Sequence, residues 1–281
     1  MRVRYDYSSR MTRRIDPHNR HRIAVPTIVK DIVRISDVVL EIIDSRFIDE
    51  SRNMEMEELV KNSGKTLVYV LNKVDLVDMK KLKEEIEKRK LFPFVILSSK
   101  SGIGKGKLIE RIKIESKRGL KEKKFEIAHV GVIGYPNTGK SSLINFLTGR
   151  GSARTSAEPG YTKGMQKIKL ARGILLLDTP GVIPEKENSN INKDDLVKHS
   201  KIFVRKHDKV KDPGYIVAKL IEEKPELFEE YYKIKIDGNV EKFIEEVGRK
   251  RAFVLRGNVI DFNKAARSIL KDWQIGIIKV K

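Results

Sequence analysis

The sequence contains no cysteine, and it has no long hydrophobic run. Without cysteine the chain can form no disulfide, no thiolate metal site and no cysteine nucleophile. No stretch approaches the roughly 20 uninterrupted apolar residues that a helix needs to cross a bilayer. The arginine-rich N-terminus also lacks the apolar core of a secretory signal. We therefore expect a soluble, cytoplasmic protein with no membrane anchor.

Acidic residues are too few to balance the basic ones. Lys and Arg number 59 against 39 Asp and Glu, which leaves a formal net charge of +20. Abundant charge of both signs is typical of thermophilic proteins, but thermophily does not explain an excess of basic over acidic residues. The expected partner is therefore a polyanion, and nucleic acid is the first candidate.

The larger part of the chain alternates between short hydrophobic runs and helical patterns. After a polar, arginine-rich arm at residues 1–20, runs of strand length lie at residues 37–44, 66–72, 92–98 and 125–134. Apolar residues at helical spacing predict helices at residues 24–36, 56–61, 79–90 and 105–117. This alternation predicts an α/β fold, with a mainly parallel sheet covered by helices on both faces. We assign residues 21–183 to this domain.

The last part of the chain has a different character. From residue 184 a polar linker leads into helical patterns at residues 213–223, 226–233, 240–250 and 263–271. Aromatic residues at helical spacing are typical of a packed core, so we assign the contact with RNA phosphates to basic residues. The basic cluster consists of Arg249, Lys250, Arg251 and Arg256. Residues 184–281 are therefore predicted to form a small, mainly helical RNA-binding domain.

Residues 134–141 form a glycine-rich loop with the pattern GxxxxGK[ST]. They read Gly-Tyr-Pro-Asn-Thr-Gly-Lys-Ser, after a hydrophobic strand and ahead of an apolar helix at residues 141–148. A phosphate-binding loop requires this context, because the glycines let the chain wrap until backbone N–H groups reach phosphate oxygens. Lys140 would supply positive charge and Ser141 an oxygen for Mg²⁺. The residues expected to contact the phosphates are Asn137, Thr138, Gly139, Lys140, Ser141 and Ser142.

A phosphate loop alone leaves ATP and GTP open, and a second motif addresses the choice. Asn72-Lys73-Val74-Asp75 reads NKxD at the end of a predicted strand, where ligands bind in parallel sheets. The Asp75 carboxylate can accept from the ring N–H and the exocyclic amine of guanine, whereas adenine offers no such pair of donors. Asn72 would stabilise the loop, and the aliphatic part of the Lys73 side chain would cover one face of the purine. If Asp75 does not meet the base, a P-loop ATPase is the other interpretation.

The next predicted strand ends in Ser98, Ser99 and Lys100. This run resembles the S-A-K loop behind the guanine of GTPases, with Ser99 in the alanine position and its backbone N–H directed at the guanine oxygen. On its own a serine-rich strand end is more often a turn or a helix cap. Its place after NKxD favours a base contact.

Two further elements follow the phosphate loop. Residues 178–181 read Asp-Thr-Pro-Gly after a predicted strand and resemble the DxxG element. There Asp178 would hold Mg²⁺ through water, and the Gly181 N–H would sense the γ-phosphate. In the polar stretch between, Thr162 is the expected switch threonine that completes the coordination of Mg²⁺, and Thr155 is the alternative.

The order of these elements is unusual. In Ras-like proteins the phosphate loop, switch threonine and DxxG precede NKxD and S-A-K, whereas here the last two come first. The same sheet can form if the chain is cut after DxxG and the old ends are joined, and residues 119–126 are the predicted joint. The sequence therefore resembles the circularly permuted GTPases, most closely the YlqF/YawG type known as ribosome-biogenesis GTPase A. The resemblance includes Asp44-Ser45-Arg46, Ser51-Arg52-Asn53 and a C-terminal pattern at Lys250, Arg251, Gly257, Asp261 and Ala265.

The resemblance implies a GTPase with slow intrinsic hydrolysis that acts as a GTP-dependent switch in ribosome assembly. The cofactors it implies are GTP or GDP and Mg²⁺. The implied partner is ribosomal RNA or a ribosomal subunit precursor, with a precursor of the large subunit as the first candidate. We expect the chain to act as a monomer. Lys140, Thr162 and Gly181 would then act on the transferring phosphate, because phosphoryl transfer needs positioning and charge stabilisation.

The usual catalytic glutamine is absent, since Val182 stands directly after Asp-Thr-Pro-Gly and a valine side chain cannot orient water. The resemblance implies a histidine near the N-terminal helix, for which His21 is the ungapped match and His18 the neighbour. A solvent-exposed histidine in a basic arm is the other interpretation. The resemblance also implies that Asn137 helps to hold a K⁺ ion, although the turn geometry of the loop favours asparagine as well.

A second function fits the same residues. The chain would then be a nucleotide-dependent binding module that regulates another polyanion, such as DNA or a membrane surface, with hydrolysis incidental. Both functions use one mechanical feature: DxxG leads within a few residues into the helical domain, so loss of the γ-phosphate would reposition that domain.

Overall fold

The chain folds around a six-stranded sheet with helices packed against it. The computed structural model describes residues 27–120, 127–149, 166–178, 181, 183, 193–204 and 207–278. The strands are β1 (Val38–Asp44), β2 (Thr66–Asn72), β3 (Phe94–Ile96), β4 (Ala128–Ile133), β5 (Gln166–Ala171) and β6 (Ile174–Asp178). The helices are α1 (Thr27–Ile35), α2 (Ile48–Ser51), α3 (Met54–Asn62), α4 (Met79–Lys88), α5 (Lys105–Leu120), α6 (Lys140–Thr148), α7 (Lys193–Lys201), α8 (Pro213–Glu223), α9 (Pro225–Tyr232), α10 (Val240–Lys250) and α11 (Phe262–Gln274). The predicted arm at residues 1–20 and residues 121–126 of the predicted joint lie outside this description.

The sheet has the strand order β3-β2-β1-β4-β6-β5. Its strands pair in parallel except β5, which runs antiparallel to β6 at the edge. All seven residues of β1 are buried, as expected for a central strand covered on both faces. The predicted α/β fold with a mainly parallel sheet is therefore confirmed.

The arrangement of the strands creates one crevice at the carboxyl edge of the sheet. β1 lies between β2 and β4. On one side of β1 the sheet continues through β2 to β3, and on the other side it continues through β4 and β6 to β5. Loops that leave neighbouring parallel strands in opposite directions open a crevice between them, where open α/β sheets bind their ligands. The register places Asp44 opposite Asn72, and Val132 opposite Asp178, at this edge.

Two element boundaries differ from the sequence prediction. α5 continues to Leu120, so Gly119 belongs to the helix and not to the joint that follows it. β3 covers only the middle of the predicted run at residues 92–98. Pro93 explains the late start of the strand, because proline has no N–H to donate to a sheet.

The sequence does not predict α7, because Leu196 and Val197 are the only large apolar residues in its nine positions. Contacts with the rest of the helical part hold this helix. The Gln274 Nε2 of α11 donates to the Ser200 carbonyl at 3.0 Å, and Ser200 is buried. Tertiary packing thus overrides a weak local pattern.

The helices from α7 onward pack around their own core, which confirms the predicted helical character of the C-terminal part. Trp273 lies at its centre and stacks on Phe228, with ring centroids 5.5 Å apart. Two residues of the sheet region, Phe47 and Tyr135, belong to the same buried cluster. We call this cluster the shared core, because both parts of the chain build it. None of the described helices combines the length and apolar character needed to cross a bilayer.

Two neighbouring glutamates, Glu41 of β1 and Glu57 of α3, lie between the sheet and α3. The fully buried Glu41 of β1 accepts a hydrogen bond from the Asn53 N–H at 2.7 Å. Its neighbour Glu57 is held by two bonds from Arg52, both 2.7 Å, and by the Tyr69 hydroxyl at 2.9 Å. Burial, reinforced by the negative charge of Glu57, raises the pKa of Glu41 well above its ordinary value. The fold therefore favours the protonated form of the Glu41 carboxyl.

Replacing Glu41 by glutamine should stabilise the protein at pH 8 and leave it unchanged at low pH. The folded state holds a proton that the unfolded state releases above the ordinary glutamate pKa. Stability therefore falls as the pH rises from that value to the raised one. Glutamine has the same shape and cannot ionise, so the Glu41→Gln variant should melt about 3 °C or more above the wild type at pH 8. The exposed Glu58→Gln change is the matched control. Parallel melting curves for the wild type and Glu41→Gln from pH 5 to pH 8 would show that Glu41 is ionised.

Candidate functional site

The crevice at the carboxyl edge collects the sequence motifs that end β1, β2, β4 and β6, together with the residues after β3. Hydrogen bonds connect these segments although they lie far apart in sequence. The Asn72 Nδ2, at the end of β2, donates to the Thr138 carbonyl of the glycine-rich loop at 2.9 Å, across 66 residues. The motifs therefore form one site and not a set of separate turns.

The glycine-rich loop, residues 134–141, wraps around its own lysine. Lys140 begins α6, and its Nζ donates to the carbonyls of Gly134 (3.0 Å) and Tyr135 (2.7 Å). Burial lowers the pKa of Lys140 to about 8, against the opposing effect of the Asp178 charge. An anion in the loop would favour the charged form and give the ammonium group a stronger partner than the two carbonyls.

Close approach of the loops depends on Gly139. Its φ is 104°, and a Cβ placed on it would lie 2.3 Å from the Asn72 Nδ2. No other residue fits that space or adopts that backbone conformation without strain. The Asn72 Oδ1 in turn accepts from the Ser99 N–H at 3.2 Å. The Ser99 N–H, predicted for a base oxygen, is thus used by Asn72, because the Asn72 amide lies between the two loops.

The Asp75 carboxylate is fixed by a buried hydroxyl. The Ser98 Oγ donates to the Asp75 Oδ1 at 2.6 Å and accepts from the Ser101 N–H at 3.0 Å. Ser98 is fully buried, whereas Asp75 is half-buried and Lys100 is exposed. Ser98 therefore orients the Asp75 carboxylate from the buried side and leaves its exposed side open.

Lys73 has a partner that the sequence prediction missed. Its φ is 65°, and its Nζ donates to the Asp44 Oδ2 (2.7 Å) and to the Asn137 carbonyl (2.9 Å). Arg46 donates to the same Asp44 carboxylate through Nε (3.0 Å) and Nη2 (2.8 Å). Burial alone would raise the pKa of Asp44, but the two cations outweigh it and hold that pKa far below its usual range. The only sequence signal is that predicted strands end at Asp44 and Asn72, and it becomes informative once the two strands are known to be neighbours.

The segment after β6 reaches both the glycine-rich loop and the helical part. Asp178 is buried at the end of the strand. A Cβ on Gly181 would lie 2.6 Å from the Cα of Pro136, so glycine is required for this contact. Two residues later Ile183 packs against the shared core. The predicted residues Thr162, Thr155, His21, His18 and Val182 lie outside the described residues.

The glycine-rich loop is also bound to the helical part, for which the sequence holds no local signal. Tyr135 is fully buried in the shared core, and the Lys198 Nζ donates to its hydroxyl at 3.2 Å. The Asn137 Nδ2 donates to the Phe203 carbonyl at 2.5 Å. Both Asn137 (φ 61°) and Phe203 (φ 63°) have left-handed backbones, an uncommon conformation for a bulky residue such as phenylalanine.

The basic cluster of the helical part divides into structural and exposed residues. The Lys250 Nζ donates to the Tyr232 carbonyl at 3.0 Å, and Arg251 pairs with Asp272 at 2.5 Å. These two residues stabilise the packing of the helices. Arg249 and Arg256 are exposed: the Arg249 side chain is 69% exposed and makes a 3.8 Å surface ion pair with Glu245.

Comparison with known proteins gives a family model and several relatives. A model described as a 50S ribosome-binding GTPase matches residues 129–253. An uncharacterized GTP-binding protein of Methanocaldococcus jannaschii is 34% identical over 259 residues, which cover 91% of this chain and 66% of that protein. Nucleolar GTP-binding protein 2 of Neurospora crassa is 34% identical over 252 residues, with coverage of 88% and 40%. A nuclear GTP-binding protein of Saccharomyces cerevisiae is 31% identical over 296 residues, with coverage of 92% and 55%. The chain thus spans between 40% and 66% of the length of these relatives.

Solved structures extend the likeness to both parts of the chain. The crystal structure of GNP-bound YlqF from T. maritima superposes with a TM-score of 0.63 at 25% identity, covering 89% of this chain and 93% of that one. A GDP-bound structure of YlqF gives a TM-score of 0.62 at 24% identity, with coverage of 90% and 96%. Coverage this broad includes the sheet as well as the helical part.

Proposed function

This chain belongs to the circularly permuted P-loop GTPases that include YlqF, and from that membership we propose that it binds GTP and uses it as a switch in assembly of the large ribosomal subunit. One observation carries the proposal: the Asn72 side chain joins the NKxD loop to the glycine-rich loop at 2.9 Å. A base reader and a phosphate loop in one crevice can hold the two ends of a single nucleotide. The description of the matching family model, a 50S ribosome-binding GTPase, supports the ribosomal partner.

Guanine would be read by Asp75. The Ser98 hydroxyl fixes one carboxylate oxygen, and the carboxylate as a whole can accept from the ring N–H and the exocyclic amine of guanine. Lys73 would cover a purine face with its stem while its ammonium group stays on Asp44 and the Asn137 carbonyl. Lys100 follows Ser98 and Ser99 in the same loop and is exposed.

The phosphates would lie in the glycine-rich loop, held by Lys140, Gly139 and the neighbouring backbone N–H groups. The residues fit a Mg²⁺ ion as well: the buried Asp178 lies close enough to Lys140 for its charge to favour the ammonium form, which places a carboxylate beside the phosphate cradle. Ser141, Thr162 and Asp178 would hold the ion, which neutralises phosphate charge when bound.

Hydrolysis to GDP and phosphate would be slow in the isolated protein. Lys140, Thr162 and the Gly181 N–H would stabilise charge on the transferring phosphate, but no glutamine follows Gly181 to orient water. By family resemblance His21 would orient the water. The same resemblance assigns a K⁺ ion to Asn137. Because its Nδ2 donates to the Phe203 carbonyl, its Oδ1 is the atom that a cation would use.

The helical part would bind ribosomal RNA through its exposed basic residues. The exposed side chains of Arg249 and Arg256 would meet phosphates, and Arg249 would give up its 3.8 Å ion pair with Glu245 to do so. Lys250 and Arg251 stabilise the fold. We further propose that residues 184–281 act as the RNA-binding domain and residues 21–183 as the GTPase domain. The protein would act as a monomer in the cytoplasm.

The test is co-sedimentation with ribosomal subunits. The protein should sediment with the large subunit or its precursor in a non-hydrolysable GTP analogue and remain in the supernatant in GDP. The Arg249→Ala/Arg256→Ala variant should bind more weakly and lower the slope of log affinity against log salt by about 2, one unit for each lost phosphate contact. Lys219→Ala is the matched control, because the Lys219 side chain is 43% exposed, pairs with Glu222 of the same helix α8, and lies on a different helix from Arg249.

The same experiment separates the alternative function. Binding to DNA or to anionic vesicles that matches ribosome binding, or ribosome binding that is equal in GDP and in the GTP analogue, would favour a regulatory module for another polyanion. Ile183 supports the switch, since it links the segment after β6 to the shared core. A domain arrangement that solution scattering finds unchanged between nucleotide states would contradict it.

A further inference from the structure

A buried carboxylate lies next to residues 72–76, which we call the base-reading loop, and it makes none of the proposed nucleotide contacts. Asp44 ends β1, and its side chain is only 1% exposed. Its Oδ2 accepts from the Lys73 Nζ (2.7 Å) and from the Arg46 Nη2 (2.8 Å). The turn that carries it is fixed by its own backbone, since the Phe47 N–H donates to the Asp44 carbonyl at 2.9 Å. The carboxylate is therefore a rigid anchor for two cations.

Lys73 connects the Asp44 carboxylate to the glycine-rich loop. The same ammonium group donates to the Asn137 carbonyl at 2.9 Å, so it bridges Asp44 and the loop that would hold the phosphates. Without Asp44 the Lys73 ammonium would face the Arg46 guanidinium, and the weaker influence of the Asp75 charge would be left to oppose their repulsion. In a buried site such like-charge repulsion displaces a flexible lysine side chain.

Arg46 connects the Asp44 carboxylate to the helical part. The Arg46 Nη1 donates to the Trp273 carbonyl, in the last turn of α11, at 3.3 Å. The following residue, Phe47, packs on the Trp273 ring with centroids 5.6 Å apart. Just beyond the helix, Gly276 packs so closely on Leu76 of the base-reading loop that an added Cβ would lie 2.9 Å from its side chain. The end of α11 thus contacts both the anchor and the loop it supports.

We propose that Asp44 is a positioning residue of the nucleotide site, which holds Lys73 against the phosphate loop, and that Arg46 couples this position to the last turn of α11. The inference rests on the proposed binding of GTP and adds a route by which the helical part senses the nucleotide. The route runs through the base-reading loop and is separate from the γ-phosphate segment after β6. Because coupling between sites is reciprocal, a partner bound to the helical part would alter nucleotide affinity through the same contacts.

A double-mutant cycle tests the positioning role. The affinity for GDP is measured for the wild type, Asp44→Asn, Lys73→Met and the double variant. Asp44→Asn should weaken binding about tenfold or more in the wild-type background and by less than about twofold in Lys73→Met, because the residue acts through Lys73. A merely structural residue would give the same loss in both backgrounds, and that result would overturn the inference.

The coupling is tested with Trp273, which is the single tryptophan of the sequence and therefore its intrinsic fluorophore. Saturating GDP should shift its emission in the wild type and not in Arg46→Met. Arg52→Met is the matched control, because it also loses two hydrogen bonds from an arginine to a buried carboxylate, that of Glu57, and it should keep the response.

The outcomes are distinct. A response that persists in Arg46→Met, or is absent from a wild type that binds GDP, would overturn the coupling. If Asp44→Asn does not fold, the Arg46→Met comparison still decides the coupling, and Lys73→Met decides the positioning role, since wild-type affinity for GDP in that variant would overturn it. Failure of the folded wild type to bind GDP would overturn the proposed function itself.

Discussion

Replacing Asp75 by alanine should weaken GTP binding by about a hundredfold or more and remove the preference for GTP over ATP. The carboxylate would accept two hydrogen bonds from guanine, and bonds to a charged group contribute about 1.5–3 kcal/mol each. The substitution would also leave the buried Ser98 hydroxyl without its acceptor, the Asp75 Oδ1. Titration of the wild type and Asp75→Ala with fluorescent GTP and ATP analogues measures both effects.

The matched control is Asp78→Ala, three residues along the chain. The Asp78 carboxylate caps α4 by accepting from the Lys80 and Lys81 N–H groups, both at 2.9 Å. Its loss should cost about 1 kcal/mol of stability, as for other N-caps, and leave the nucleotide preference intact. Equal selectivity in the wild type and Asp75→Ala would show that Asp75 does not meet the base and would favour a P-loop ATPase.

Replacing Lys140 by methionine should reduce the affinity for GTP and GDP by more than about a hundredfold and abolish hydrolysis. In the structure the ammonium group is buried and donates to the Gly134 and Tyr135 carbonyls, so it occupies the centre of the phosphate loop. Methionine keeps the length of the side chain and leaves the phosphate charge without its partner. Isothermal titration with GDP and release of phosphate from GTP measure the two losses.

Lys105→Met is the control for that substitution. The Lys105 Nζ also donates to a backbone carbonyl, that of Phe146, at 2.7 Å, but it lies outside the loop. The variant should bind GDP as the wild type does. If Lys140→Met bound GDP with unchanged affinity, the glycine-rich loop would not be a phosphate site.

The sequence was sufficient for the sheet and for the place of each motif within it. Strand-length hydrophobic runs such as β1 and β2 are fully or largely buried because parallel strands are covered on both faces. Once those runs are strands, geometry brings Asn72 and Asp178 to the same edge, since the carboxyl ends of parallel strands coincide there. Short motifs that carry little information alone therefore predict one common site, because all of them lie at this edge.

The contacts between side chains from distant segments could not be read in the same way. The bond from Lys73 to Asp44 follows from strand register, which the sequence fixes only once the pairing is known. The burial of Tyr135 depends on helices that begin about sixty residues later, and nothing beside it in the sequence marks it as a core residue. α7 forms with a weak apolar pattern because Ser200 and its neighbours meet α11.

The shared core has a consequence for how such proteins can be recombined. Phe47 and Tyr135 belong to the sheet part by sequence but are buried among helical residues such as Trp273 and Phe228. Exchange of the helical part between relatives would leave these two side chains facing a foreign packing partner. The sheet part and the helical part are therefore not interchangeable modules: a functional chimera must transfer the residues at positions 47 and 135 together with the helices that enclose them.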